Sequence, residues 1–92
     1  MAVRVRLFAA IREAAGTGEL DVEPAALPGL LAGLVDRFGE PFASRLTLCT
    51  VLVDGWAVPR ERDDYVADGA EVALLPPVSG GSHLRVPYPQ HR

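Results

Sequence analysis

The residues of this 92-residue chain that carry reactive chemistry are few, and their spacing does not suit catalysis. Cys49 is the single cysteine, and His83 and His91 are the only histidines. One cysteine excludes an internal disulfide, a cysteine-rich zinc site and a Cys-ligated iron–sulfur cluster. Its neighbours Leu48, Val51 and Leu52 favour a buried structural thiol over a reactive one. No Cys/His pair, metal-ligand spacing or phosphate-binding glycine loop is present, so no metal and no bound cofactor is expected. Asp63 and Asp64 are adjacent in a polar stretch and read as solvated. What remains is Val78-Ser79-Gly80-Gly81, which follows Pro76-Pro77. Paired glycines commonly mark a turn. They also make a thin arm. Without Cβ atoms, Gly80 and Gly81 could thread a narrow channel in a partner and set a carbonyl at its bottom. On this reading the chain is a substrate or carrier rather than a self-sufficient enzyme.

An arm needs a rigid element behind it. Val72 and Leu74 alternate with Glu71 and Ala73, the period of a strand with one buried face. Pro76 and Pro77 end that strand, because neither has an N–H for a sheet ladder. Parity puts Leu75 on the outer face with Glu71 and Ala73. Residues 2–8 read as a first strand, with Val3, Val5 and Leu7 on one face and Arg4, Arg6 and Phe8 on the other. Residues 9–15 read as a short helical turn closed by Gly16. Arg12 and Glu13 read as a solvated surface pair. Residues 19–23 form a short alternating strand, antiparallel to the first.

The main helix is predicted over residues 28–38, where Leu30, Leu31, Leu34, Val35 and Phe38 recur on one face. Pro28 suits its first turn, and Gly39 and Pro41 stop it. No Ser, Thr, Asp or Asn sits at its N-cap, so packing must stabilise it. Gly29 and Gly33 weaken it, and close packing of the backbone on the sheet would account for one of them. Residues 40–47 read as a connector without a clear signal. Residues 48–53 form a strand, Asp54-Gly55 a tight turn, residues 56–58 a second short strand and residues 59–64 a polar loop. Trp56 either faces a partner or folds onto the sheet. Asp68-Gly69 turns into the final strand. One helix on one face of a mixed sheet is an α+β domain.

Pro76-Pro77-Val78-Ser79-Gly80-Gly81 after an apolar strand, with Asp68-Gly69-Ala70-Glu71-Val72 before it, resembles the C-terminus of the MoaD/ThiS family of ubiquitin-like sulfur carriers. The run from Leu7 to Gly16, with its aromatic, alanines and Arg12-Glu13, is similar to the family's N-terminal pattern. The resemblance implies a β-grasp fold in which the first and last strands run parallel at the sheet centre. It implies that Gly81 carries the function. An ATP-dependent activating enzyme of the MoeB/ThiF kind would adenylate its carboxylate, and a persulfide donor would convert it to a thiocarboxylate. The arm looks most like the molybdopterin branch, whose partner is a MoaE-like large subunit. Thiamin and cysteine biosynthesis are variants of the same chemistry. An inert β-grasp module or a protein modifier is the alternative of a different class. Leu75, Pro76, Val78, Ser79, Gly80 and Phe8 would then be partner-binding residues. The chain departs from the family by running on through residues 82–92. The expectation is a carrier domain over residues 1–81 and a flexible extension over 82–92, with removal by a processing protease favoured over two other readings: an artefact of the sequence, or a family member that has lost carrier function.

Composition fits this reading. Hydrophobic residues make up 49% and charged residues 23%, a globular composition with room for one small domain. The net charge is −3, and up to Gly81 seven arginines face twelve carboxylates, a net −5. Such a balance argues against nucleic acid, whose phosphates need a basic face. No apolar run approaches the ~20 residues that span a bilayer. No signal-peptide pattern precedes the first strand, so a cytoplasmic protein with no membrane association is expected. Lysine is absent, so the chain has no side-chain amine to attack an activated C-terminus.

Overall fold

The computed structural model describes residues 2–77. Its frame is a five-stranded mixed sheet. The strands are β1 (Val3–Leu7), β2 (Glu19–Val22), β4 (Thr50–Val53), β5 (Trp56–Val58) and β7 (Glu71–Leu75), in the order β2-β1-β7-β4-β5. A two-stranded ladder of β3 (Ala25–Ala26) and β6 (Tyr65–Val66) lies apart from it. The helices are α1 (Ala9–Ala15), α2 (Leu27–Phe38) and α3 (Phe42–Leu46).

The central pair is β1 beside β7, and it is parallel, with Val5 opposite Val72 and Leu7 opposite Leu74. Val3, Val5, Leu7, Val72 and Leu74 are all buried, while Arg4 and Arg6 are exposed. The alternation in the sequence is therefore the alternation of the sheet's two faces. This is the β-grasp architecture anticipated above.

α2 begins one residue earlier than predicted and buries Leu27, Leu30, Leu31 and Leu34 against the inner sheet face. Val35 and Phe38 lie at the margin of that stripe and are half-buried. Each fully buried leucine contributes roughly 2 kcal/mol. Ala26 at the N-cap has no capping side chain, so packing does hold this helix.

The glycine expectation is overturned. Gly29 and Gly33 are exposed, and a Cβ built on either would meet no heavy atom within 4 Å. Neither is needed for close approach to the sheet. Gly29→Ala and Gly33→Ala should each stabilise the domain by up to about 1 kcal/mol. Thermal melting would show this as a rise of roughly 4–8 °C per kcal/mol. An unchanged or lower Tm would contradict the open-space reading.

The connector at 40–47, which carried no clear signal, contains a short helix. α3 carries Phe42, the largest fully buried side chain, whose ring centroid lies 5.0 Å from that of Phe38. Glu40 Oε1 accepts hydrogen bonds from the Ser44 N–H (3.1 Å) and hydroxyl (2.8 Å). Periodicity could not reveal five residues with only two core positions. Among the described residues, no helix is long and apolar enough to cross a membrane.

Candidate functional site

The sheet topology decides where β7 ends. β7 is central, and its last residue, Leu75, pairs with Thr50 of β4. Leu74 lies opposite Leu7, so Leu75 emerges beside Phe8 on the outer face. All three helices bury their apolar residues in the core on the opposite side of the sheet. Phe8 is 37% exposed. Leu75 and Pro76 are half-buried, and Pro77 is exposed. Val78, Ser79, Gly80 and Gly81 lie outside the described residues.

The outer face divides into two zones. One is apolar: Ala73 and Leu75 of β7 stand beside Leu52 of β4, with Phe8 at the upper corner. The other is a ladder of ion pairs. Arg4 Nη1 donates to Glu19 Oε2 at 2.7 Å, and Arg4 Nε to Asp21 Oδ1 at 3.3 Å. Arg6 Nη1 donates to Glu71 Oε2 at 3.1 Å. The Asp21 hydrogen bond and the Glu19 charge raise the Arg4 pKa above its usual value. These exposed pairs add little stability but fix which part of the face is polar. The Arg6 guanidinium also lies 5.9 Å from the Phe8 ring centroid, giving the aromatic a cationic border. An apolar patch with a charged rim is the usual anatomy of a docking surface.

The turn beside the patch is fixed by its own chemistry. Asp54 and Gly55 both have positive φ, 51° and 89°, as a two-residue hairpin turn requires. Asp54 Oδ1 also accepts from the Glu71 N–H at 3.0 Å, tying the hairpin to the start of β7. Trp56 pairs with Val53, which places it on the helix side of the edge strand, yet it is 52% exposed.

Two residues at the end of the sheet where β7 finishes escaped the sequence. Leu48 is 64% exposed, because the chain turns after α3 with the Leu48 N–H bonded to the Arg45 carbonyl. Thr50 opposite Leu75 puts Leu48 at the arm's end of the sheet. The apolar run around Cys49 hid that exposure. Arg60 is the other. Its guanidinium donates to the carbonyls of Leu46 and Cys49 just past α3, and the Leu46 carbonyl also accepts the Cys49 N–H. Cys49 is buried as expected, and burial pushes its thiol pKa up, with the Arg60 charge opposing. A thiol held protonated in this way is a packing group. Among the described residues, no cluster of three or more His, Cys, Asp or Glu is placed to hold a metal ion. Arg12 and Glu13 are exposed, with Arg12 lying over Gly18.

The ThiS family pattern matches residues 5–81, most of the chain. The chain belongs to the ThiS family. The match takes in both glycines and stops at Gly81. The chain is also 34% identical over 88 residues to the molybdopterin synthase sulfur carrier subunit of Aedes aegypti, covering 86% of this chain and 90% of that protein. Among solved structures it is similar to SAMP1 from Haloferax volcanii, with a TM-score of 0.74 and 28% identity over 88% of this chain and 100% of the other. It is similar too to a chain in the complex of subunits 1 and 2 of molybdopterin-converting factor from Helicobacter pylori. That likeness has a TM-score of 0.66 and 27% identity, and covers 88% of this chain and 100% of the other. These ThiS-family likenesses bear out the β-grasp expectation.

Proposed function

We propose that this ThiS-family chain is a sulfur carrier of the molybdopterin branch, active once its Gly81 carboxylate is free. The observation that carries the proposal is positional. β7 ends at Leu75 on an apolar sheet face that none of the described helices covers, six residues before Gly81, in a chain whose family match reaches Gly81. The face docks a partner, and the arm reaches into it.

The chemistry follows from the carboxylate. In an activating enzyme of the MoeB/ThiF kind, a Gly81 carboxylate oxygen attacks the α-phosphorus of ATP. Pyrophosphate leaves, and a mixed anhydride forms. The terminal sulfur of a persulfide then attacks the acyl carbon and expels AMP. A thiol cleaves the resulting S–S bond, is itself oxidised to a disulfide, and leaves the thiocarboxylate. The sulfur is spent in the pocket of a MoaE-like large subunit. The carrier contributes only a narrow nucleophile and a docking face, as expected of a chain without catalytic side chains of its own.

The test uses protein ending at Gly81, incubated with the activating enzyme, ATP and a persulfide donor. Intact mass should show exchange of one oxygen for sulfur. No mass change with a competent activating enzyme would refute the carrier reading. Likeness to SAMP1, small archaeal modifier protein 1, supports a second reading, attachment to other proteins. That reading predicts isopeptide bonds to lysines of partners instead of free thiocarboxylate.

Leu75→Glu probes the docking face. The side chain is half-buried on the outer face, so Tm should barely move. Loss of a central apolar contact should weaken binding to the large subunit about 10- to 100-fold. Calorimetric titration of a folded variant that binds normally would remove Leu75 from the interface.

A further inference from the structure

A second surface lies on the far side of the sheet from β5, at the open edge of β2. Leu7 donates its N–H to the Gly18 carbonyl, which sets the phase of the β1–β2 ladder. The pairs Val5–Leu20 and Val3–Val22 therefore exchange hydrogen bonds, and Asp21 turns its own N–H and C=O outward. Glu19 faces the same way, but its N–H and C=O are both taken by the Thr17 hydroxyl, at 3.3 and 3.0 Å. The upper half of the edge is thus blunted and the lower half is open.

Beside that open half runs a groove of about 370 Å³ between β2 and α2. Val22, Leu30 and Leu34 form its apolar floor. Gly29 and Gly33 contribute no side chains, which keeps the helix wall low. An extended segment paired with Asp21 would send alternate side chains into this groove and the others to the outer face. On the outer face it would meet Glu19 and Asp21, with Glu23 next along the same parity. Arg4 pairs with Glu19 and Asp21, Arg6 stands opposite Glu19 but forms its ion pair with Glu71, and Glu23 has no ion pair among the described residues.

That charge pattern selects the occupant. A second copy of this chain pairing β2 to β2 would set Asp21 against Asp21 and Glu19 against Glu23, and like charges directly opposite destabilise a strand pair. We propose that the β2 edge and its groove bind an extended segment of another protein in which Arg or Lys alternates with Val, Ile or Leu. β1 already satisfies β2 in this way from the other side, with Val3-Arg4-Val5-Arg6-Leu7. The proposal is independent of the arm and of sulfur transfer.

The probe is the peptide acetyl-Val-Arg-Val-Arg-Val-amide, titrated into isotope-labelled full-length chain and followed by amide NMR. The amides of Asp21, Glu23, Gly33 and Leu34 should shift, and added salt should weaken binding. Gly33→Trp fills the groove from an exposed helix position with open space, so it should fold and bind at least about tenfold more weakly. Asp21→Pro removes the outward N–H at an edge position that tolerates proline, and should have the same effect. The proposal fails if the matching glutamate peptide binds equally, if both folded variants bind normally, or if no amide shifts. It fails also if shifts map to Ala73 and Leu75, or if binding appears only after residues 82–92 are removed, which would make the chain's own extension the occupant.

Discussion

A chain ending at Gly81 should support ATP–pyrophosphate exchange on its activating enzyme, and the 92-residue form should support none. In the full-length chain the Gly81 carbonyl is part of the peptide bond to Ser82. An amide has no carboxylate oxygen to attack phosphorus, so the difference is all or nothing. Residues 82–92 contain Pro87 and Pro89, which suit neither a helix interior nor a central strand. We propose that a protease cleaves the Gly81–Ser82 bond to release the carrier. Intact-mass measurement on protein from its native cells should find a species ending at Gly81. Equal exchange by uncleaved, mass-verified full-length protein would defeat the masked-carboxylate idea. Finding only full-length protein in cells would favour the inert-module reading.

Leu34→Asp should abolish cooperative folding. Leu34 is 1% exposed and sits in the hydrophobic core formed by the described residues. Truncation to Ala there should cost about 2–5 kcal/mol. Aspartate adds an unpaired carboxyl in an apolar site, which must be buried charged or be protonated at a further cost. Domains of this size have only ~5–15 kcal/mol in total. Amide NMR should lose its dispersion and calorimetry its transition, while Leu34→Met should melt cooperatively near the parent. A cooperative transition retained by Leu34→Asp would mean that α2 is not the keystone of the core.

The sheet and α2 were legible because their patterns are periodic. Val3, Val5 and Leu7 alternate with arginines, and Leu30, Leu31 and Leu34 fall on one helical face, so their burial followed from spacing; Leu27, buried one residue before the predicted helix start, did not. The parallel pairing of β1 and β7 was not in the spacing. It came from the resemblance carried by the Pro-Pro and Gly-Gly motifs. α3 escaped because one turn and a half of helix gives too few positions to show a period. The exposure of Gly29 and Gly33 escaped because a glycine in a helix has the same spelling whether it touches the sheet or faces solvent. Of the site, Phe8 and Leu75 followed from strand parity. Leu48 did not, since its exposure arises from the turn after α3 and not from any alternation. Arg60 did not either, because its partners are backbone carbonyls, which no side-chain pattern encodes.

The central β1–β7 pair has a consequence for how the domain comes into being. Arg4 lies beside Glu71, so the strand made first completes its ladder with the strand made last. Closing so long a loop must precede the contacts that reward it, which places the domain among slower folders of its size. On the ribosome the β1 edge that will receive β7 waits unpaired until nearly the whole chain has emerged. The sheet can therefore close only after the segment leading to the arm has left the exit tunnel. A nascent chain that stalls before β7 has no complete sheet, so the apolar outer face of Phe8, Leu52, Ala73 and Leu75 exists only in molecules whose last strand has been made.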